Sequence, residues 1–369
     1  MTQTPNRRHF LRSTGLFGLI LAAGGLAAPF VARAAATRLR IVSNPGLENA
    51  TLNALMDQQG YFKQFGVDAL IVQVPGATGP FDAIAAGAAD VCMVSGYNMV
   101  LSRIEQGAKV KIVGAGMKKS ALTVFAKPDG IKTLADLKGK TVAVGPTLGL
   151  LHALMLQLMK EKGVDATQVN FVDKGSNDQC YEAVAKGEVD ACCSSISHLN
   201  DRDGLVVISE ANMWQALPKY NFQTAYAADF ALADKHEGMV ALMAAYGSLY
   251  DYLMSPEGHD AFFEARKWAQ KKFDQASAQA IWDFNRLQRP YSKDLSLTDG
   301  DIGYQQDMFI GLGRLKRKQA IAAVADMSAA NAAAKLLGCE RVETKMGAVF
   351  KKRRQGPIEF HGNTRLARA

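Results

Sequence analysis

The sequence has few cysteines and lacks the spacings that cysteine chemistry requires. Five cysteines in 369 residues, with Cys192 and Cys193 adjacent, do not make the framework of a disulfide-stapled chain. No C-x-x-C pair or histidine-rich spacing marks a zinc site. We therefore expect most of these thiols to be small, buried, hydrophobic side chains, and we expect neither a metal nor a cofactor.

Signatures of several enzyme classes are also missing. The sequence contains no G-x-S-x-G nucleophile elbow, no H-E-x-x-H zinc motif and no P-loop. General hydrolase chemistry and nucleotide chemistry therefore have no local support in the sequence.

The formal net charge of +8 comes from the two ends of the chain. Residues 1–34 hold four arginines, and residues 340–369 hold eight Lys or Arg against three Glu. Residues 35–339 carry 31 bases and 32 acids, a net charge of −1. This part has no basic face for nucleic acid, so we expect no nucleic-acid partner. We expect residues 339–369 to be a basic, disordered tail.

Residues 1–34 have the features of an export signal. Arg7 and Arg8 precede a phenylalanine and a leucine, an apolar run follows at residues 16–31, and residues 32–34 (ARA) supply a small-x-small cleavage pattern. The arginine pair resembles a twin-arginine signal. We expect a cleaved leader and a soluble periplasmic protein, with an uncleaved anchor as the alternative. No other segment is long and apolar enough to span a bilayer.

Two stretches that lie 100 residues apart are almost alike. Residues 81–92 (FDAIAAGAADVC) match residues 181–192 (YEAVAKGEVDAC), and Ser95 and Ser195 follow at the same distance. Shorter matches precede both stretches in the same order. The alternative interpretation is that helix, glycine, aspartate and strand form a common local pattern. The ordered matches favour duplication and predict two similar α/β lobes across a cleft.

Short apolar strands alternate with amphipathic helices from residue 38 to about 208, a pattern typical of a parallel α/β fold. Helices dominate after Trp214, apart from one predicted strand near residue 225. We interpret that strand as a return crossing, with a separate helical domain as the alternative. We predict one lobe from residues 38–120 plus 225–338 and a second from residues 121–224.

Four segments resemble those of the periplasmic solute-binding proteins of ABC importers, in particular the nitrate/sulfonate/taurine type that includes thiamine-pyrimidine binders. They are residues 60–67 (GYFKQFGV), 83–90 (AIAAGAAD), 132–144 (KTLADLKGKTVAV) and 183–190 (AVAKGEVD). The resemblance covers residues 38 to about 290. It implies a type II periplasmic-binding-protein fold, in which two α/β lobes are joined by a hinge around a central cleft.

The resemblance also implies a function. It implies an exported, monomeric binding protein, not an enzyme, that captures a small organic solute by hinge closure and delivers it to a membrane permease with its ATPase. The solute is expected to be a sulfonate, a carboxylate, nitrate or a pyrimidine-like compound. The alternatives are a ligand-sensing subunit and an enzyme like the thiamine-pyrimidine synthase, whose cysteine-rich run residues 192–195 (CCSS) match only in part.

Turns rich in Gly, Ser and Thr follow the predicted strands. Ligands of open α/β sheets bind beyond the carboxyl ends of the strands, and free N–H groups at helix starts hold carboxylates or sulfonates without a metal. We predict a small anionic ligand held mainly by backbone amides and hydroxyls, with two tyrosine rings closing on its apolar body or else packing in the core. The predicted ligand-binding residues are Asn44, Gly46, Gly76, Thr78, Ser95, Gly96, Tyr97, Pro146, Thr147, Gly149, Ser176, Asn177, Ser195 and Tyr226.

Replacing Arg7 and Arg8 together by lysine tests the predicted export route. The twin-arginine translocase reads the guanidinium pair, so we expect the precursor to accumulate in the cytoplasm. Cell fractionation with detection of the precursor and mature forms measures this. Normal amounts of mature protein in the periplasm would contradict the assignment.

Overall fold

The computed structural model describes residues 37–74, 79–147 and 149–339, with the backbone alone at Asn98 and Met99. The predicted signal peptide with its two arginines, the turn residues Gly76 and Thr78, and the predicted tail after Cys339 lie outside the described residues. Within these ranges, no helix is both long enough and apolar enough to cross a membrane.

Two five-stranded sheets form the framework of the described residues. The strands are β1 (Arg38–Ser43), β2 (Asp68–Gln73), β3 (Val91–Ser95), β4 (Val110–Ala115), β5 (Leu122–Ala126), β6 (Thr141–Val144), β7 (Asn170–Asp173), β8 (Ala191–Ser195), β9 (Val206–Val207) and β10 (Thr224–Ala228). The first sheet has the order β2-β1-β3-β10-β4 and the second has the order β7-β6-β8-β5-β9. We call each sheet with its packed helices a lobe.

The two sheets have the same plan. β1 pairs in parallel with β2 and β3, and β6 pairs in parallel with β7 and β8. Each sheet is completed by a strand that the chain adds on crossing from the other lobe. β10 lies antiparallel to β3 and β4, and β5 lies antiparallel to β8 and β9. The predicted α/β class with two lobes of like architecture is confirmed.

Helices cover the sheets. They are α1 (Leu47–Gln58), α2 (Tyr61–Gln64), α3 (Gly79–Ala85), α4 (Tyr97–Glu105), α5 (Leu150–Glu161), α6 (Asn177–Ala185), α7 (Met213–Ala216), α8 (Asp229–Asp234), α9 (His236–Leu253), α10 (His259–Ala269), α11 (Gln275–Gln288), α12 (Asp299–Gly311), α13 (Ile321–Val324) and α14 (Ser328–Leu336). The repeated helices α3 and α6 are followed by Gly87 and Gly187, both at positive φ, which ends a helix at little steric cost.

The inner strand β3 of the first sheet is buried on both faces. Val91 and Met93 pack with α1 and α9 on one face, whereas Cys92 packs with α4 on the other. Side chains alternate between the faces of a strand, so burial of both faces requires an unbroken apolar strand. This explains why β3 is an apolar run, whereas β2 at the edge of the sheet has no fully buried residue.

The aspartate that ends each sequence repeat joins two strands. Asp90 Oδ2 accepts a hydrogen bond from Arg40 N at 2.8 Å, and Asp190 Oδ2 accepts one from Thr141 N at 2.9 Å. In each lobe, the N–H of the aspartate donates to the carbonyl of the same neighbour. The repeated aspartate thus fixes β3 beside β1 and β8 beside β6.

Of the two equivalent aspartates, Asp90 has more cations beside its carboxylate. Its buried carboxylate also lies 2.7 Å from Arg40 Nη2 and 2.8 Å from Lys235 Nζ. Burial by itself raises the pKa of the Asp90 carboxyl, but the hydrogen bonds from Arg40 and Lys235 outweigh it and lower the pKa below its ordinary value. Asp190 is 34% exposed, and Lys127 Nζ lies 3.9 Å away.

The two connections between the lobes are hydrogen-bonded to each other. Gly116 N donates to Gln223 O at 3.3 Å, and Gln223 N donates to Met117 O at 2.8 Å. The side-chain Oε1 of Gln223 also accepts from Met117 N at 3.1 Å. The connection that leaves the first lobe and the one that returns to it therefore form one narrow hinge.

We expect Asp90→Asn to lower the free energy of unfolding by roughly 3 kcal/mol, because it leaves two cations beside a neutral amide in a buried site. Asp190→Asn is the matched control and should cost about 1 kcal/mol or less, because its carboxylate is partly exposed. Urea denaturation at pH 7 measures both. Equal losses would contradict the structural difference between the two aspartates.

The Asp90 effect should also depend on pH. The folded-state pKa of Asp90 is lowered, so its stabilisation is complete above the unfolded carboxyl pKa of about 4 and is lost as the pH falls through the folded value. The stability difference between wild type and Asp90→Asn should therefore shrink below about pH 4. A difference that stays constant down to the acid unfolding transition would contradict this explanation.

Candidate functional site

Helices begin directly after the parallel strands at one edge of each sheet. β1 leads into α1 and β3 into α4 in the first lobe, and β6 leads into α5 and β7 into α6 in the second. Parallel strands end at the same edge of a sheet, so the helix starts of each lobe lie together. This is the edge at which open α/β sheets bind their ligands.

Three of these helices begin at a glycine that offers no side-chain cap. Gly46, Gly96 and Gly149 are the N-cap residues of α1, α4 and α5. The N–H groups in the first turn of each helix therefore receive no acceptor from the cap residue, and α4 and α5 also have no acidic residue in the first turn to compensate the helix dipole. Such helix starts suit the oxygen atoms of a carboxylate or a sulfonate.

A Cβ atom would be crowded at two of these glycines, by a backbone atom at Gly149 and by a side-chain atom at Gly46. A Cβ atom on Gly149 would lie 2.7 Å from Pro146 O, and one on Gly46 would lie 2.9 Å from Asn44 Oδ1. The Gly149 N–H donates to the same Pro146 carbonyl at 2.6 Å. The turn before α5 is therefore tightly folded, and it leaves Pro146 and Thr147 exposed.

Several of the predicted polar residues build the turns themselves. Asn44 Oδ1 accepts from Gly46 N at 3.0 Å and from Asn49 Nδ2 at 2.7 Å. Ser176 caps α6, which starts at Asn177, in a reciprocal capping box. Ser195 Oγ accepts from the N–H two residues ahead at 3.2 Å. These side chains shape the strand ends, whereas Ser95 and Gly96 are half-buried at the end of β3.

Two predicted residues do not lie on an open face. Tyr97 is 0% exposed and Tyr226 is 1% exposed. Both rings belong to the apolar cluster between the first sheet and its helices, where Tyr226 packs at 5.8 Å from the Phe81 ring. The structure therefore places these rings in the core of the first lobe, because their strand and helix positions face the sheet–helix interface.

Sequence reasoning missed Arg266, a charged residue on the apolar side of α10. It is 3% exposed, and its Nη2 donates to Ser277 Oγ at 3.3 Å. The available signal was its spacing, since it follows Phe262 by four residues and Phe263 by three and so shares their buried helix face.

The charges of carboxylates from both lobes influence the pKa of this arginine. Glu48 lies in the first turn of α1 and Asp178 in the first turn of α6. Burial lowers the pKa of the Arg266 guanidinium, and the charges of Glu48 and Asp178 partly oppose that shift. By contact, Arg266 lies on α10, which packs along α1, and it donates to Ser277 on α11, which packs against residues 196–198 of the second lobe.

Asp178 also contacts a pair of stacked rings in the second lobe. His198 Nε2 lies 3.3 Å from Asp178 Oδ1, and the imidazole stacks on the Tyr181 ring with centroids 3.8 Å apart. The hydrogen bond with His198 is the main cause that lowers the pKa of Asp178 below its ordinary value. Asp178 is therefore held as an ionised carboxylate beside the junction of the lobes.

The lobes also touch through apolar side chains. Ile196 follows β8 in the second lobe, is fully buried, and belongs to the core cluster of the first lobe. Trp214 of the second lobe packs edge-on against Phe284 of α11, with ring centroids 5.3 Å apart. These contacts hold the lobes together on the α11 side of the strand ends.

An open groove of about 680 Å³ lies away from the strand ends, at the start of α12. Two of its acids already have partners, because Asp301 accepts from Thr298 N in a capping box and Asp307 lies 2.6 Å from Lys318 Nζ. These bonds give its polar side chains a structural role. The strand-end edge remains the better candidate site.

The cysteines have no reactive setting. Cys192 and Cys193 are fully buried in β8, and burial raises the pKa of both thiols, which disfavours a reactive thiolate. Among the residues that the structure describes, no group of three or more His, Cys, Asp or Glu side chains is arranged to hold a metal.

A sequence model of the family described as "NMT1/THI5 like" matches residues 51–257. Searched against curated proteins, the sequence gives no match. The fold is similar to that of several solved structures at low sequence identity, which supports a shared architecture.

One similar structure is the periplasmic aliphatic sulphonate binding protein SsuA from Escherichia coli. It is 17% identical, has a TM-score of 0.65, and the match covers 87% of this chain and 98% of that chain. The alkanesulfonate-binding protein SsuA from Xanthomonas axonopodis pv. citri, bound to MOPS, is 19% identical with a TM-score of 0.63, covering 79% and 99%. The periplasmic nitrate-binding protein NrtA from Synechocystis PCC 6803 is 10% identical with a TM-score of 0.63, covering 82% and 89%.

We expect Gly149→Ala to lower the free energy of unfolding by roughly 1–3 kcal/mol, because the new methyl group would push the Pro146 carbonyl out of the turn. Gly311→Ala is the matched control, since the nearest atom to its Cβ is Lys160 Nζ at 3.5 Å. It lies at the end of α12 and should be neutral or stabilising by up to about 1 kcal/mol. Thermal or urea denaturation compares them, and equal effects would contradict the tight turn.

Proposed function

The chain belongs to the NMT1/THI5-like family, and on this basis we propose that it is the exported substrate-binding component of an ABC-type importer. It captures a small organic solute between its two lobes in the periplasm, without catalysis. It then delivers the solute to a membrane permease and its ATPase. The translocase that exports it is the twin-arginine system, and the mature protein acts as a monomer.

The observation that carries this proposal is the matched arrangement of the two lobes. The strands of the two sheets follow an equivalent order, and the parallel strands of each sheet end at helix starts. The two lobes share one hydrogen-bonded hinge. A narrow hinge allows the lobes to rotate about the crossing strands, which is the motion of solute-binding proteins. Closure brings the helix starts of both lobes, at which the N-cap residue is a glycine, around one solute.

The ligand classes follow from these helix starts. Uncapped N–H groups at α1, α4 and α5 favour an oxyanion such as a carboxylate, a sulfonate or nitrate. The sulfonate-binding and nitrate-binding proteins of similar fold support the same classes. A pyrimidine-like solute remains in the proposal because the family description includes THI5.

The enzyme alternative has less support from the described side chains. A synthase that uses the cysteine-rich run needs accessible thiols, yet Cys192 and Cys193 are enclosed in β8. The sensing alternative shares the binding cleft and differs only in the membrane partner. Co-purification with a permease rather than a receptor separates transport from sensing.

We expect Ser95→Ala and Thr147→Ala each to weaken binding of the solute that most stabilises the wild type. Each loss should be about 0.5–1.5 kcal/mol, or up to about 3 kcal/mol if the hydroxyl meets a charged group. A thermal-shift screen with sulfonates, carboxylates, nitrate and pyrimidines selects the solute, because binding to the folded state raises the melting temperature with ligand concentration. Calorimetry then gives the affinities.

Ser328→Ala provides the control for this experiment. Ser328 is an exposed serine at the start of α14, which packs on α9 and β4 rather than at the strand ends. The affinity of this variant should equal that of the wild type. If both site variants also keep the wild-type affinity, the solute binds elsewhere, and if no solute stabilises the wild type, the proposed binding function is wrong.

A further inference from the structure

Arg266 is a buried cation that forms no ion pair with another described residue. Its side chain is 3% exposed, and no carboxylate oxygen of the described residues lies within 4.0 Å of its guanidinium. Its Nε is fully buried and has no hydrogen-bond partner among these residues. A guanidinium removed from water without a counter-ion is costly, so a protein retains one where something else supplies the negative charge.

The nearby carboxylates are committed to other donors. Glu48 accepts from the Tyr291 hydroxyl at 2.5 Å, and Asp178 is bound to His198. Asp274 accepts from Ser277 N at 2.9 Å as the cap of α11. The charges of all three carboxylates influence the pKa of Arg266, but each carboxylate is hydrogen-bonded to another group. The arginine therefore has acids around it but no direct ionic partner among the described residues.

Arg266 lies near the junction of the lobes. α10 packs along α1, whose first turn carries Glu48, and Asp178 belongs to the first turn of α6 in the second lobe. The Phe262 ring lies 5.9 Å from the Arg266 guanidinium carbon and helps to hold the side chain in place. Arg266 Nη2 donates to Ser277 of α11, and α11 packs against residues 196–198, which follow β8 of the second lobe.

We propose that Arg266 is the side chain that binds and selects the solute, by pairing with one monoanionic oxyanion group, a carboxylate or a sulfonate. This rests on the proposed binding function and assigns the anion to a side chain as well as to the backbone amides expected from the sequence. The planar guanidinium matches two oxygen atoms of either group at once.

The surrounding acids restrict the charge of the solute. Glu48, Asp178 and Asp274 place negative charge around the single positive charge of Arg266. Together with Arg266 these three acids carry a net charge of −2, so a dianion such as sulfate meets about twice the net repulsion that a monoanion meets. The structure therefore favours an organic monoanion over inorganic sulfate or phosphate.

The test compares Arg266→Met with Lys267→Met, its neighbour on α10. Lys267 is an exposed cation paired with Glu264 at 2.7 Å, so both variants lose one positive charge at almost the same place in the sequence. The probes are ethanesulfonate and propionate as monoanions and inorganic sulfate as the dianion. Melting temperature without ligand, and affinity by calorimetry, are measured for each protein.

We expect Arg266→Met to weaken binding of the better monoanion by about 30-fold or more, as for loss of one partner of a buried charge pair. Lys267→Met should change the affinity by less than about 3-fold, because exposed charges are screened. Without ligand, Arg266→Met should keep or raise the melting temperature, because an unpaired buried charge has been removed. Arg266→Lys keeps the charge without the planar fork and should give an intermediate affinity.

Three results would overturn the inference. The first is unchanged affinity in Arg266→Met for a solute that still depends on Ser95 and Thr147, which leaves the binding function intact. The second is a lower melting temperature of ligand-free Arg266→Met with no loss of affinity, as expected for a purely structural arginine. The third is a preference of the wild type for sulfate, or no binding of either monoanion.

Discussion

The hydrogen bonds that join residues 116–117 to Gln223 are the constraint on which the two-lobed arrangement depends. They bind the outgoing connection to the returning one, so each lobe receives an antiparallel strand from the other end of a single narrow link. Because β5 and β10 lie inside their sheets, neither lobe can complete its own sheet without this crossing. The hinge is thus part of the fold of both lobes.

The duplicated sequence has become asymmetric in its chemistry. The aspartates that end the two repeats make the same backbone bonds, yet Asp90 is enclosed with two cations while Asp190 stays partly exposed. The helix starts differ in a similar way, since α1, α4 and α5 begin at bare glycines and α6 begins with a complete capping box. A shared scaffold therefore leaves open donors at some strand ends and fills them at others.

Electrostatics at the lobe junction follows from burial more than from net charge. Residues 35–339 are almost neutral, but Arg266, Glu48 and Asp178 converge at the approach of the two lobes. The acids have donors of their own, whereas Arg266 Nε has no hydrogen-bond partner among the described residues and Nη2 donates to the neutral Ser277 hydroxyl.

Local sequence patterns were enough to predict the architecture, because they encode short-range physics. The Gly-x-x-Asp repeat indicated duplication, since a glycine ends each helix and an aspartate starts the next strand, and the apolar runs indicated strands buried on both faces. The glycine-rich turns correctly marked the strand ends, because parallel strands end at one edge of a sheet. These features depend on neighbours within a few residues along the chain.

Tertiary packing decided what each side chain does at those ends. Tyr97 and Tyr226 follow or form strands as the predicted cleft residues should, but the layer of helices over the first sheet encloses their rings. Arg266 stands more than 200 residues from Glu48 in the chain, and its role is set by the packing of α10 on α1. No local sequence pattern reveals that these two residues are neighbours, because the free energy of a buried charge depends on atoms brought together only by the completed fold.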